Sequence, residues 1–162
     1  MDREFPASVQ RVAAALSAAG HADGPIWLDS AARTSQQAAD ALGVGVGQIA
    51  KSVIFRRLAD DAAVLVITSG DRRVDEAKVA AVTGALGRAN ADFVKTKTGF
   101  AIGGVSPLAH ATKPVTLIDR ELFRFERIWA AAGHPNAVFP LTPADLERLT
   151  GAPVADVTES PT

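Results

Sequence analysis

Two apolar runs, Lys51–Arg57 and Ala62–Thr68, stand either side of the short linker Leu58-Ala59-Asp60-Asp61. Strand-forming residues separated by so short a polar link read as a β-hairpin. A second hairpin is expected from Ile128–Ala132 and Ala137–Phe139, joined by the turn-forming Gly133-His134-Pro135-Asn136. Further strands are expected at Ile26-Trp27-Leu28, at Ala91–Val94 and at Val115–Ile118. Helices fall between them. Val9, Val12, Ala13 and Leu16 share one face of a helix over Ser8–Ala19. Thr34 or Ser35 caps a short helix that runs through Leu42 to Gly43. Asp75–Thr83 is helical. A last helix opens on Thr142-Pro143-Ala144-Asp145, with a cap, a proline at the first turn and an acid at the third position, and closes at Gly151. Hairpins interleaved with helices argue an α+β domain. Its mixed, curved, barrel-like sheet is flanked by helices, rather than doubly wound.

The segment Thr96-Lys97-Thr98-Gly99-Phe100-Ala101-Ile102-Gly103-Gly104-Val105-Ser106-Pro107-Leu108 fits neither a helix nor a central strand. Glycine admits positive φ and close approach, and proline removes a donor. The loop is either a tight structural turn or a ligand cradle, in which Gly103 and Gly104 turn bare N–H groups outward.

With 162 residues, one domain over 1–158 and a frayed tail over 159–162 are expected. The chain has no cysteine, which excludes disulfides, zinc thiolates and a cysteine nucleophile and fits a reducing, cytoplasmic setting. It has no tyrosine either, so phenolic catalysis is absent. The charged start Met1-Asp2-Arg3-Glu4-Phe5-Pro6 lacks a secretion-type apolar run, and no stretch suits a membrane span. A net charge of −1 leaves nucleic-acid contact to local patches such as Arg56-Arg57, Arg72-Arg73, Lys95, Lys97 and Lys113.

Chemistry-bearing candidates are few. Strand period places Lys51 on the face of Val53 and Phe55, where it either snorkels to water or serves a site. His110 follows Pro107 closely enough to lean over the glycine loop, or else sits in solvent. His21 and His134 read as solvated loop residues. Asp71, Asp75 and Glu76 read as acids at a helix start. Neither a Gly-x-Ser-x-Gly elbow nor metal-ligand spacing is present.

Four segments occur in order: Gln48-Ile49-Ala50-Lys51-Ser52-Val53-Ile54-Phe55, Val64–Asp71, Thr98–Pro107 and Val115–Asp119. Together they resemble the YbaK family, the prolyl-tRNA synthetase-associated editing domains, from about Ala31 to Asp156. The resemblance implies that family's α+β fold. It also implies trans-acting hydrolysis of the ester of mischarged tRNA, chiefly tRNA for proline carrying a small amino acid such as Cys, Ala, Ser or Thr. The family lysine maps to Lys51, and its Gly-x-x-x-Pro loop maps to Gly103, Gly104, Val105, Ser106 and Pro107. Lys51, Gly103 and Gly104 are the expected catalytic groups. Ser30, Thr34, Thr98, Phe100, Ile102, Val105, Ser106, Pro107 and His110 are expected to bind substrate, with Ile26 and Leu28 as further wall candidates. The expected partners are the aminoacyl-tRNA acceptor 3′ end and prolyl-tRNA synthetase; no cofactor, metal or membrane is expected. Phe100 stands where some relatives carry tyrosine and Ala109 where many carry glycine, which bears on pocket width or loop posture. The alternatives are a non-catalytic aminoacyl- or nucleotide-binding or synthetase-docking module, and a hydrolase of another small ester or amide.

Overall fold

The computed structural model describes residues 5–160. The charged residues 1–4 and the final two residues of the expected tail lie outside the described residues. Glu159, placed in that tail by the sequence, donates its N–H to the Arg73 carbonyl at 2.9 Å.

The central hairpin forms as expected. β2 (Ile49–Arg57) and β3 (Ala63–Ser69) pair antiparallel, with Lys51 opposite Thr68, Val53 opposite Val66 and Phe55 opposite Val64. Directly opposed residues share a face, so Lys51, Val53, Phe55 and Thr68 look to one side, and Ser52 and Ile54 look to the other with Ile67 and Leu65. β3 is buried along its whole length. Helices cover both of its faces, which is why its sequence reads as a continuous apolar run rather than an alternating one.

The remaining strands extend this pair. β1 (Ile26–Trp27) pairs with β7 (Ala137–Leu141), which forms the second expected hairpin with β6 (Ile128–His134). β6 joins β2 in parallel at Ile49 and Ala50. β5 (Val115–Asp119) runs parallel to β3, and β8 (Val154–Ala155) parallel to β5. β4 (Leu86–Arg88) pairs with the far end of β2. The result is a mixed eight-stranded sheet in the order β1-β7-β6-β2-β3-β5-β8, with β4 beside β2.

Five α-helices among the described residues complete the fold: α1 (Ala7–Ala18), α2 (Ser35–Leu42), α3 (Glu76–Thr83), α4 (Ala91–Thr98) and α5 (Pro143–Thr150). α1 presses Val9, Val12 and Leu16 into the larger core with Leu65, Ile67, Ile118, Phe139 and Leu146. α3 covers the opposite face, where Val79 meets Val64, Val66 and Leu117.

The strand expected over Ala91–Val94 is instead the first turn of α4. Asn90 accepts the Phe93 N–H at 2.8 Å as an N-cap, and Gly99 ends the helix at φ +81°. The lysines near its C-terminus and Asp92 in its first turn suit the helix dipole.

α1 lies very close to the sheet at Gly133. Ser8 Oγ donates to the Gly133 carbonyl at 2.8 Å. Gly133 has φ +95°, and a Cβ there would stand 2.7 Å from the Ser8 carbonyl oxygen. Gly133→Ala combines left-handed strain with overpacking, and is expected to cost about 2–4 kcal/mol in chemical denaturation. An unchanged midpoint would contradict this close packing.

Candidate functional site

The glycine loop is clasped at both ends. Gly99 closes α4, and the N–H groups of Ala111 and Thr112 return to the carbonyls of Thr98 and Lys97 at 3.0 and 2.9 Å. Within the clasp, Ala101-Ile102-Gly103-Gly104 makes a turn in which the Gly104 N–H donates to the Ala101 carbonyl at 3.0 Å. Gly103 takes φ +93° at the third position, as a type II turn requires. Gly104 leaves no room for a side chain: a Cβ would lie 2.9 Å from both Cα and N of His134.

Three side chains fix the rest of the loop. Arg11 of α1 donates through Nε to the Ala109 carbonyl at 3.0 Å, and its guanidinium carbon sits 4.4 Å from the centre of the Phe100 ring. His110 donates from Nε2 to the Ser106 carbonyl at 2.6 Å and meets Phe100 edge-on at 6.0 Å. The Thr98 hydroxyl lies 2.6 Å from the Val94 carbonyl and accepts the Phe100 N–H at 3.0 Å. Ala109 holds φ +67°, in the left-handed region that favours glycine.

Facing this loop is an open cavity of about 590 Å³. Its wall takes Thr34 and Ser35 from the start of α2, Ala50, Lys51 and Ser52 from β2, Gly70 beyond β3, Ile102, Gly103 and Val105 from the loop, and His134 and Pro135 from the β6–β7 turn. The first residues of β2 are brought here because β6 pairs with Ile49 and Ala50. Lys51 is exposed, and its ammonium has neither an ion-pair nor a hydrogen-bond partner among the described residues. The Gly103 N–H likewise has no acceptor among the described residues. Thr34 is in the wall but also caps α2, accepting the Gln37 N–H at 3.1 Å.

Other expected residues lie elsewhere. Thr98, Phe100 and Ser106 are fully buried. They, Gly104, Pro107 and His110 shape the loop from behind and are absent from the cavity wall. Ser30 is exposed outside the wall, Ile26 is exposed on β1 and Leu28 is buried. Phe100 therefore bears on the packing of the loop and not on the width of this cavity.

His134, read from the sequence as solvated, lines the cavity. Its Nδ1 accepts the Asn136 N–H at 3.0 Å, and its ring packs 4.9 Å from Trp27. A neutral His134 thus carries its proton on Nε2. His21 is also corrected: its side chain is 5% exposed, and Nε2 donates to the Pro140 carbonyl at 2.9 Å.

Asp71 is not a helix-start acid; Asp75 caps α3 instead. The Asp71 carboxylate accepts from Arg124 Nη2 at 2.8 Å, and that guanidinium also donates to Ser69 Oγ. Arg124 holds the Asp71 carboxyl below its usual range, helped by Ser69. Behind it, the buried Asp119 accepts the Ser69 and Glu121 N–H groups, and burial pushes its carboxyl up. This network pins the end of β3 beneath Gly70. Among the described residues no cluster of His, Asp or Glu could hold a metal ion, and no helix is long and apolar enough to cross a membrane.

Residues 29–149 match the model of the aminoacyl-tRNA editing domain. The chain belongs to that family. Uncharacterized protein YwhH of Bacillus subtilis (strain 168) is 33% identical to this editing domain over 75% of the chain and 78% of that protein. A solved structure described as a candidate trans-editing enzyme for prolyl-tRNA synthetase is 39% identical, with a TM-score of 0.90 over 97% of this chain and all of that one. Hypothetical protein APE2540 is 31% identical, with a TM-score of 0.85 over 92% and 99% of the two chains.

The clamp under the loop depends on pH. Burial lowers the His110 pKa, with Arg11 adding to the effect against the Ser106 hydrogen bond. A depressed folded pKa means that the stabilising form is neutral. Its contribution is complete above the ordinary histidine value of about 6.5 and is lost as pH falls through the folded value. Denaturation of wild type and His110→Gln across pH 8 to 5 is expected to show a constant difference above neutrality. Below about pH 6.5 wild type should lose stability relative to the variant. Parallel curves would contradict this assignment.

Proposed function

We propose that this editing domain is a trans-acting aminoacyl-tRNA deacylase. In this reading it acts on tRNA for proline carrying a small amino acid such as Cys, Ala, Ser or Thr, alongside prolyl-tRNA synthetase. The observation that carries the reading is the pairing, in one cavity, of an unpartnered Lys51 ammonium with an unpartnered Gly103 N–H. The solved relative described as acting in trans for prolyl-tRNA synthetase supports the choice of tRNA.

An aminoacyl ester is already activated, so the reaction needs charge stabilisation more than a protein nucleophile. Water adds to the ester carbonyl, forming a C–O bond and a tetrahedral oxyanion. The bond to the ribose oxygen then breaks, and that oxygen leaves with a proton. The Gly103 N–H is suited to receive the oxyanion. Gly104 is not, because its N–H is engaged by Ala101; the expected pair of glycine donors reduces to one. Lys51 holds the carbonyl or the terminal nucleotide. A ribose hydroxyl or the substrate's own amine assists the water. Ile102, Val105 and Ala50 in the wall exclude larger side chains, since steric rejection of a larger group is easier than rejection of a smaller one.

A deacylation assay with mischarged tRNAs tests the proposal. Loss of the ester is expected for at least one small amino acid. Lys51→Ala should lower kcat/KM on the order of 10²-fold, the scale for one electrostatic stabiliser, with an unchanged melting temperature because the side chain is exposed. Stable mischarged tRNA throughout the panel at enzyme excess would favour a non-catalytic binding module.

A further inference from the structure

A second cavity, of about 550 Å³, lies on the other side of Lys51. Lys51 and Gly70 line both cavities. The second follows the outer face of the central hairpin from Lys51 to Phe55, about 13 Å at the usual strand rise. Val53, Phe55 and Val74 give it an apolar side, and Arg72 and Arg73 stand beyond β3.

Its lining carries an unexplained feature. Three buried side-chain polar atoms among the described residues lack a hydrogen-bond partner: Thr68 Oγ1, Arg72 Nε and Trp129 Nε1. The first two belong to residues of this cavity. Buried polar groups are almost always satisfied, so two orphans in one cavity point to a missing partner. The nearest carboxylate oxygens to Arg72 are 3.6 Å away at Glu121 and 3.7 Å away at Asp71, too far for hydrogen bonds.

The charge balance indicates what that partner is. Lys51 is unpaired, and Arg73 is 85% exposed with only a 3.9 Å approach to Glu159. Of the two acids in the lining, Asp71 is already held by Arg124, which leaves Glu76. Arg56 and Arg57, one of the local basic patches in the sequence, are paired to Asp61 and Asp60 at the far end of β2. Among the cations that line this cavity, Lys51 has no ion-pair partner and Arg73 has only that long approach.

We propose that the second cavity takes the ribose-phosphate chain of the tRNA 3′ end. The aminoacyl group then occupies the first cavity, and Lys51 stands at the junction. Arg72 and Arg73 contact phosphate, the Thr68 hydroxyl contacts a ribose hydroxyl, and Phe55 offers an apolar surface to a base. This assignment rests on the deacylase reading.

The test compares wild type, Thr68→Val and Arg73→Ala on two substrates. One is mischarged tRNA; the other is the same amino acid esterified to adenosine, which carries no phosphate. For Arg73→Ala, KM for the tRNA is expected to rise about tenfold at unchanged kcat, and the salt dependence of log KM should flatten by about 0.7, one single-strand phosphate contact. Its rate on aminoacyl-adenosine should stay at the wild-type value. Thr68→Val, isosteric and uncharged, should raise KM for the tRNA several-fold without altering the salt slope. Equal losses on both substrates, or no change in KM for either variant, would overturn the assignment. Titration with the trinucleotide CCA, followed by amide shifts, separates this inference from the deacylase reading. If wild type hydrolyses neither substrate, shifts at Thr68 and Arg72 that weaken about tenfold in Arg73→Ala still support the cavity as a ribose-phosphate site. No shifts there would reject it.

Discussion

The seating of Gly104 on the backbone of β6 is the contact on which the site depends. No side chain fits between the loop and His134, so the loop lies directly against the β6–β7 turn. Gly133 repeats the condition one layer deeper, where α1 touches the same strand through Ser8. Helix, sheet and loop are thereby stacked at their closest approach. Arg11 and His110 hold the loop from behind, and only Ile102, Gly103 and Val105 remain to face the cavity. A close-packed interior of this kind passes little displacement from core to loop, which suits the role proposed for the Gly103 N–H.

The opposite wall comes from the hairpin register. Lys51 sits where β2 leaves its short parallel pairing with β6 and continues against β3. It is therefore carried on a strand held on both edges, yet its ammonium reaches solvent. The Ser69–Asp71–Arg124 network ties the neighbouring end of β3, so the junction between the two cavities is polar and braced. Asp119 adds to that bracing through the Ser69 N–H, although burial disfavours its charged form.

Much of this was legible because the informative signals were local. Thr34, Asp75 and the Thr142-Pro143-Ala144-Asp145 cap announce their helices, and the short link at Leu58–Asp61 announces the hairpin. α4 reads as a strand because Phe93 and Val94 favour strands; the signal for the helix is Asn90 three residues before Phe93, with Gly99 at the end. β4 and β8 have too few residues to show a period, and exist by pairing with β2 and β5, which no local pattern contains. In the glycine loop, residue type alone did not separate inward from outward positions. Thr98, Phe100 and Ser106 are as plausible chemically as Val105, but the hydrogen bonds that hold the first two are set by α4 and α1, and those of Ser106 by Leu108 and His110. His134 precedes a proline in a turn, a setting that reads as solvated. Its place in the wall follows from Gly104 lying against it.

In the proposed reaction one N–H group, that of Gly103, receives the ester carbonyl beside Lys51. The most direct measurement is an amide-shift titration with a non-hydrolysable analogue, an amino acid joined to 3′-amino-adenosine by an amide. The Gly103 amide is expected to move strongly and the Lys51 side-chain signals to respond, while the Gly104 amide, bonded within the turn, moves little. A titration in which the analogue binds while Gly103 and Lys51 stay unperturbed would contradict it.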